Sequence, residues 1–246
     1  MFQTLLTQPL YNGFIYLISV MPGGDVGLAI IALTFIIRFL FYPVFASQIR
    51  TTMGMQAMQG ELEEIKEKHK NDAAEQNRLI MGLYKKHKVN PLSLILSLFI
   101  QLPIFFALYY TFFHTKLPEI NASLLYPFVH APQAVNIHFL GFLDLTLANN
   151  ILLVAVVAGL QFLVMYLTLA RTNKHAPKNI SEEKRMAMKM QQNVSLYMLP
   201  AIIAMVAYTT PAAVGLYFAT GSVVSIGQEW LIRRQLAARE AKSPSN

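Results

Sequence analysis

The run from Val26 to Phe45 is apolar over the thickness of a bilayer core, except for one arginine, Arg38, set inside it. About 20 consecutive apolar residues cross the hydrocarbon. A charged side chain among them costs roughly 3 kcal/mol on insertion scales and ~10 kcal/mol or more in some simulations. Arg38 stands ~7 residues, or ~10 Å at 1.5 Å per residue, from the nearer end of the run. A long cationic side chain can bury its stem and reach for headgroups, but from that depth the reach is a stretch. A chain that keeps such a residue usually holds it in water or against a partner. The run therefore asks for a membrane fold and for a polar place inside it.

Composition agrees. Of 246 residues, 54% are hydrophobic and only 13% charged, against about 25% charged in soluble domains. One compact helical membrane domain is the natural count. The net charge of +7 would suggest nucleic acid in a soluble protein. Here the charges fall between apolar segments, so no specific nucleic-acid partner is expected and the positive-inside rule explains them better. Cysteine is absent, which excludes disulfides, thiol nucleophiles and thiolate metal sites.

Residues 1–25 are expected as a retained outer segment, since no basic residue precedes Arg38 and no small-residue cleavage site follows the first apolar stretch. Leu10, Phe14, Leu17 and Ile18 fall on one helical face, with Asn12 and Ser19 elsewhere, and Pro22-Gly23-Gly24 stops the helix. That pattern predicts an interfacial helix on the outer surface. Residues 26–246 then form the core. Its apolar segments are Val26–Phe45, Pro91–Phe113, Ala148–Ala170, Val194–Tyr208 and Val214–Leu231. Backbone groups in lipid must be satisfied within the segment, so these are helices.

Eighteen of the twenty basic residues lie after the first, third and fifth segments; the others are Arg38 and Lys116. All eighteen fall on one side if the chain crosses five times. The expected fold is an all-α integral membrane protein with five transmembrane helices, N-terminus out and C-terminus in. Between the first two helices, residues 47–88 carry apolar side chains at helical spacing on either side of Asn71-Asp72. This predicts a cytosolic hairpin of two antiparallel helices with a solvated, mixed-charge surface.

The polar residues within the helices share a depth. Ser93, Ser97 and Gln101 recur every four residues on the second helix; Thr34, Arg38 and Tyr42 share a face of the first. Gln161 lies on the third helix, and Ser222, Ser225 and Gln228 on the fifth. All lie mostly toward the cytosolic half, while Val26–Leu33 and Ala148–Leu160 are almost wholly apolar. Interhelical hydrogen bonds, at ~0.6 kcal/mol each, account for the serines. They do not account for an arginine whose nearest membrane carboxylate by sequence is Glu229, at the edge of the fifth helix. A wet cavity open to the cytosol and closed outside accounts for both. Its candidate lining is Arg38, Thr34, Gln101, Ser97, Gln161, Ser225 and Gln228.

Several motifs resemble the YidC-type membrane protein insertases of bacteria, mitochondria and chloroplasts. They are Thr34–Arg38 leading to Tyr42-Pro43, then Met55-Gln56-Ala57-Met58-Gln59, and Leu83-Tyr84-Lys85 followed by Val89-Asn90-Pro91-Leu92. Ile100-Gln101-Leu102-Pro103-Ile104-Phe105, Met198-Leu199-Pro200 and Pro211 with Leu216-Tyr217 continue the likeness, over about residues 9 to 235. The chain departs from the family in Ser93-Leu94-Ile95, Ser97 and Ala212-Ala213, and its basic tail is short. The resemblance implies that Arg38 is the groove arginine, which draws the acidic extracytoplasmic part of a nascent membrane protein into the cavity. The client then leaves into the lipid bilayer along the third and fifth helices. It further implies that the hairpin meets clients, or partners such as a targeting receptor, a translocon or the ribosome.

Two other classes compete. A hydrolase needs converging catalytic groups within the membrane. His69, His87 and His175 fall in cytosolic stretches and His114, His130 and His138 in external ones, so no catalytic residues, metal or cofactor are expected. A solute transporter usually shows inverted repeats and broken helices at the midplane; neither is evident in the sequence, and five crossings do not divide into equal halves. A crosslinker at Arg38 separates the classes, because an insertase brings a nascent polypeptide there.

Overall fold

The computed structural model describes residues 8–113, 117–172 and 182–242. Lys116, His114, His175, Lys174 and Lys178 lie outside the described residues.

Helix α1 (Gln8–Val20) has the expected extent, but its buried face is wider than the apolar pattern implied. Tyr11, Phe14, Ile15 and Ile18 pack into the core, and the Phe14 ring lies 6.3 Å from that of Phe112. Asn12, read from sequence as off this face, is 2% exposed. Its amide donates to Leu124 O at 2.8 Å and its carbonyl accepts from Tyr126 N–H at 2.7 Å. A buried amide with satisfied bonds behaves as core, so polarity alone misplaced it.

Gly23 and Gly24 turn the chain with φ of 65° and 66°. A side chain at Gly24 would run into the carbonyl of Ala134, so only glycine fits. Asp25 then caps α2 (Val26–Leu40), accepting from Leu28 N–H at 2.9 Å. Here the structure corrects the expectation of one helix over Val26–Phe45. The chain breaks at Phe41 and resumes as α3 (Tyr42–Ala57), bent by 73°. Pro43 is the reason: it has no N–H to donate to Phe39, so the first helix stops and proline sits comfortably in the first turn of the next. The helix that leads into the hairpin thus starts at Tyr42.

Helix α4 (Gln59–Lys68) and α5 (Ala73–Lys86) pack against each other, as the charged and apolar periodicity predicts. Asp72 caps α5 through Glu75 N–H at 3.0 Å. Met58, Leu83 and Val89 form a small separate core at its base. Thr51 joins this base to the next helix, since its hydroxyl donates to Asn90 O at 3.1 Å and accepts from the Ser93 hydroxyl at 2.9 Å.

The remaining long elements are α6 (Leu92–Phe113), α7 (Ile151–Thr172), α8 (Glu182–Asn193), α9 (Leu199–Thr209) and α10 (Ala212–Lys242). A π-helical segment, Val194–Met198, links α8 to α9. Pro200 cannot donate to Leu196 O, and a wider turn accommodates the missing bond. Helices α6 and α7 are long and apolar enough to cross a membrane on their own, and the bent α2–α3 pair makes a third candidate. Helix α10 packs on α2, α6, α7 and α9, while α7 also packs on α9. A two-stranded hairpin, β1 (His138–Phe139) and β2 (Leu143–Asp144), closes the end where α2, α7 and α10 begin.

Candidate functional site

One face of α10 organises the interior. Tyr217, Gly221, Ser225, Glu229 and Arg233 follow at four-residue steps, a stripe ~24 Å long at 1.5 Å per residue. Two adjoining cavities, of about 260 and 250 Å³, open along it. Each has room for several waters and the polar partners to hold them. Arg38, Val164 and Ser225 line both, so the arginine stands where they meet.

The first cavity is lined from α3 by Gln48 and Thr52, from α7 by Thr168, and from α10 by Ser225, Glu229 and Arg233. The second is lined by Gln101 of α6, Gln161 of α7, and Tyr217, Gly221 and Ser222 of α10. Beyond Tyr217 the packing is dry. Ala212, Ala213 and Val214 of α10 and Val26, Ala29 and Ile30 of α2 are all buried. The polar space is therefore closed toward the end where α2 and α10 begin.

Two neighbours hold the guanidinium and a third leaves it room. The Phe45 ring lies beneath it, with the centroid 4.4 Å from Cζ, a cation–π contact. The Gln228 side chain accepts from Nη1 at 3.5 Å, a long contact, and donates back to the Arg38 carbonyl at 3.3 Å. Gly221 leaves the third side open; a Cβ there would stand 3.5 Å from Nη2, in ordinary contact. Guanidinium offers five N–H donors, and among the described residues no carboxylate is ion-paired with Arg38. Glu229 instead binds Arg233 one turn along α10, at 2.6 Å and 2.8 Å. The first cavity so holds two arginines against one glutamate and is positive overall.

Of the residues singled out by sequence, Arg38, Gln101, Gln161 and Ser225 come together along these cavities, and Gln228 holds the arginine from the side. Thr34 and Ser97 do not line them. The Thr34 hydroxyl folds back to Ile30 O at 2.7 Å and the Ser97 hydroxyl to Leu94 O at 2.7 Å, both buried. Such back-bonding is the common fate of helical Ser and Thr. Phe45, Gly221 and Tyr217 were missed. The four-residue step through Ser225 would have found Gly221 and Tyr217, whereas Phe45 reaches Arg38 only because of the bend at Phe41.

Comparison with known proteins places the chain in a family. The family model of the 60Kd inner membrane protein matches residues 17–240. Membrane protein insertase YidC 2 of Bacillus anthracis is 34% identical over 216 residues, covering 86% of this chain and 73% of that protein. Membrane protein insertase YidC of Oceanobacillus iheyensis is 31% identical over 218 residues, covering 87% and 77%. The Cupriavidus necator protein of that name is longer: 28% identity over 240 residues covers 97% of this chain but 37% of the relative. A match over most of its length, to relatives of similar size as well as longer ones, means that the chain belongs to the family of 60Kd inner membrane proteins, that of the YidC insertases.

Proposed function

We propose that this protein inserts nascent membrane proteins into the plasma membrane, acting as a chaperone and not as an enzyme. It crosses five times, by α2 with the start of α3, then α6, α7, the π segment with α9, and α10. Its N-terminus is outside and its C-terminus inside, the arrangement that puts eighteen of twenty basic residues on the cytosolic side. The observation that carries the reading is Arg38 between two cavities of mixed polar and apolar lining, its charge unmatched by a carboxylate among the described residues. Water and a fixed cation partway into the bilayer lower the barrier to moving polar residues across.

An acidic stretch of client enters by the first cavity, past Gln48 and Thr52, and is drawn toward Arg38. Gln101, Gln161, Ser225 and Gln228 keep the path wet. The second cavity ends at Tyr217, so the client advances only part of the way in water. Its apolar segment then moves sideways along α7 and α10 into lipid, driven by the transfer of apolar area from water. Exposed Leu163 and Val156 on α7 and Val223 on α10 give that route an apolar wall. The α4–α5 hairpin serves as the docking surface for a client, a targeting receptor, a translocon or the ribosome.

A photocrosslinker at Ser225 tests this while leaving Arg38 in place. Ribosome-bound chains of increasing length should crosslink there over a limited window of lengths and then lose the contact as they pass into lipid. Absence of any crosslink from position 225, with crosslinks from lipid-facing Val156, would refute a path through the cavities.

A further inference from the structure

The β1–β2 hairpin turns two of its large apolar side chains, Leu140 and Phe142, away from the core. Leu140 and Gly141 lie at its centre, with φ of 56° and 80°. The bond from Phe142 N–H to Phe139 O closes the turn. Two positive φ angles are what a type I′ turn needs, and Asn, Asp and Gly serve there. A leucine in this region is strained, and Leu140 is 66% exposed. Phe142 beside it is 69% exposed. Neither side chain is held by the core, so packing does not explain why a leucine stands in a backbone region that it resists.

The position of the hairpin explains it. Phe139 lies against Gly27 in the first turn of α2 and leaves no room there for a side chain. Ala213 N–H donates to Leu145 O and Ala212 N–H to Leu147 O, pinning the strand's continuation to the first turn of α10. Asn149 N–H donates to Tyr208 O at the end of α9. The tip is thus fixed at the level where apolar helices begin and end. From it the exposed apolar side chains continue through Leu147 to Ile151 and Leu152, the latter two on the outward face of α7, itself apolar enough to cross a membrane.

We propose that Leu140 and Phe142 insert among the acyl chains and headgroups of the leaflet reached by the N-terminal end of α7. The hairpin is then an anchor that holds the dry end of the bundle at a set depth. Aromatic and aliphatic side chains beside a polar backbone suit that boundary. The inference needs only that the protein lies in a membrane, and so stands or falls apart from the path assigned to clients.

The chain has no cysteine, which makes spin labelling direct. Leu140→Cys and Phe142→Cys would carry nitroxides in the full chain, reconstituted in phosphatidylethanolamine–phosphatidylglycerol vesicles. Collision with oxygen reports lipid and collision with a water-soluble nickel chelate reports water. Lys68→Cys supplies the aqueous reference and Val156→Cys the lipid one. The oxygen-to-nickel ratio at 140 and 142 should exceed that at 68 several-fold and approach that at 156. A ratio equal to that at 68 overturns the proposal. Protection from both reagents overturns it too, since another protein or a second copy would then cover the patch. Leu140→Asn keeps a residue that tolerates positive φ, so the turn persists without its apolar tip. In that background the ratio at 142 should fall several-fold; an unchanged ratio would mean that Leu140 does no anchoring.

Discussion

On the proposed function, the property of Arg38 that counts is charge at a distance and not a shaped contact. Its hydrogen-bond partner among the described residues is Gln228, at 3.5 Å, and the Phe45 ring favours any cation placed over it. Arg38→Lys should therefore retain most insertion of a client with an acidic translocated segment. Arg38→Ala should lower it about tenfold, the equivalent of ~1.4 kcal/mol. Both are read from protease protection of the client in proteoliposomes. A lysine variant as defective as the alanine one, though normally folded, would show that guanidinium geometry matters instead. Gly221 separates charge from space. Gly221→Ala places a methyl in ordinary contact with the guanidinium and favours the helix by up to ~1 kcal/mol. It should fold and insert as the parent does. Gly221→Leu should fill the second cavity and reduce insertion with Arg38 still present, in the same assay.

Elements hold this site through a few polar joints. Asn12 connects α1 to the segment that follows α6, so Asn12→Ala leaves Tyr126 N–H without its partner and Leu124 O with only the 3.2 Å bond from the Gln8 amide. A loss of ~1–3 kcal/mol in unfolding free energy is expected for such an orphaned group, measured by denaturation in mild detergent. The hairpin depends on pH through Glu61, which accepts from Lys86 at 2.6 Å and lies 3.0 Å from His87 Nε2. Those hydrogen bonds hold its carboxyl below the usual carboxylate value of 4.5. A carboxyl with a depressed folded pKa stabilises above its ordinary value and loses that effect as pH falls through the folded one. The α4–α5 clamp should thus hold at neutral pH and loosen only in acid below 4.5. A distance between spin labels on the two helices reports this, and Glu61→Gln should remove the acid transition. Much of this architecture was legible in the residues: Asn71-Asp72 announces the turn between α4 and α5, the apolar runs announce membrane helices, and the four-residue steps of polar side chains announce a common face. The bend at Phe41 was signalled by Pro43 but hidden by continuous apolarity, which looks the same on either side of a break. Thr34 and Ser97 misled because a hydroxyl can satisfy itself on its own helix, and sequence does not say which way it turns.

For the molecule as a whole, the proposed function requires an interior with a wet end and a dry one. Single cysteines at Gln101, Gln161 and Ser225 should react with a water-soluble maleimide in sealed vesicles, while those at Ile30 and Ala213 stay unmodified. Lys68→Cys and Gln235→Cys should label from one face of the membrane and Glu119→Cys from the other; any different grouping would remove the five-crossing orientation. The bend at Phe41 carries a further consequence. Helix α2 has 15 residues, a rod of ~22 Å beside a hydrocarbon slab of ~30 Å. That shortfall is met by lipid drawing inward around the molecule or by polar flanks reaching into it. On the proposed path, a segment crossing beside Arg38 would then traverse less oil than it would through the unperturbed bilayer, and the elbow itself would become part of how the barrier is reduced.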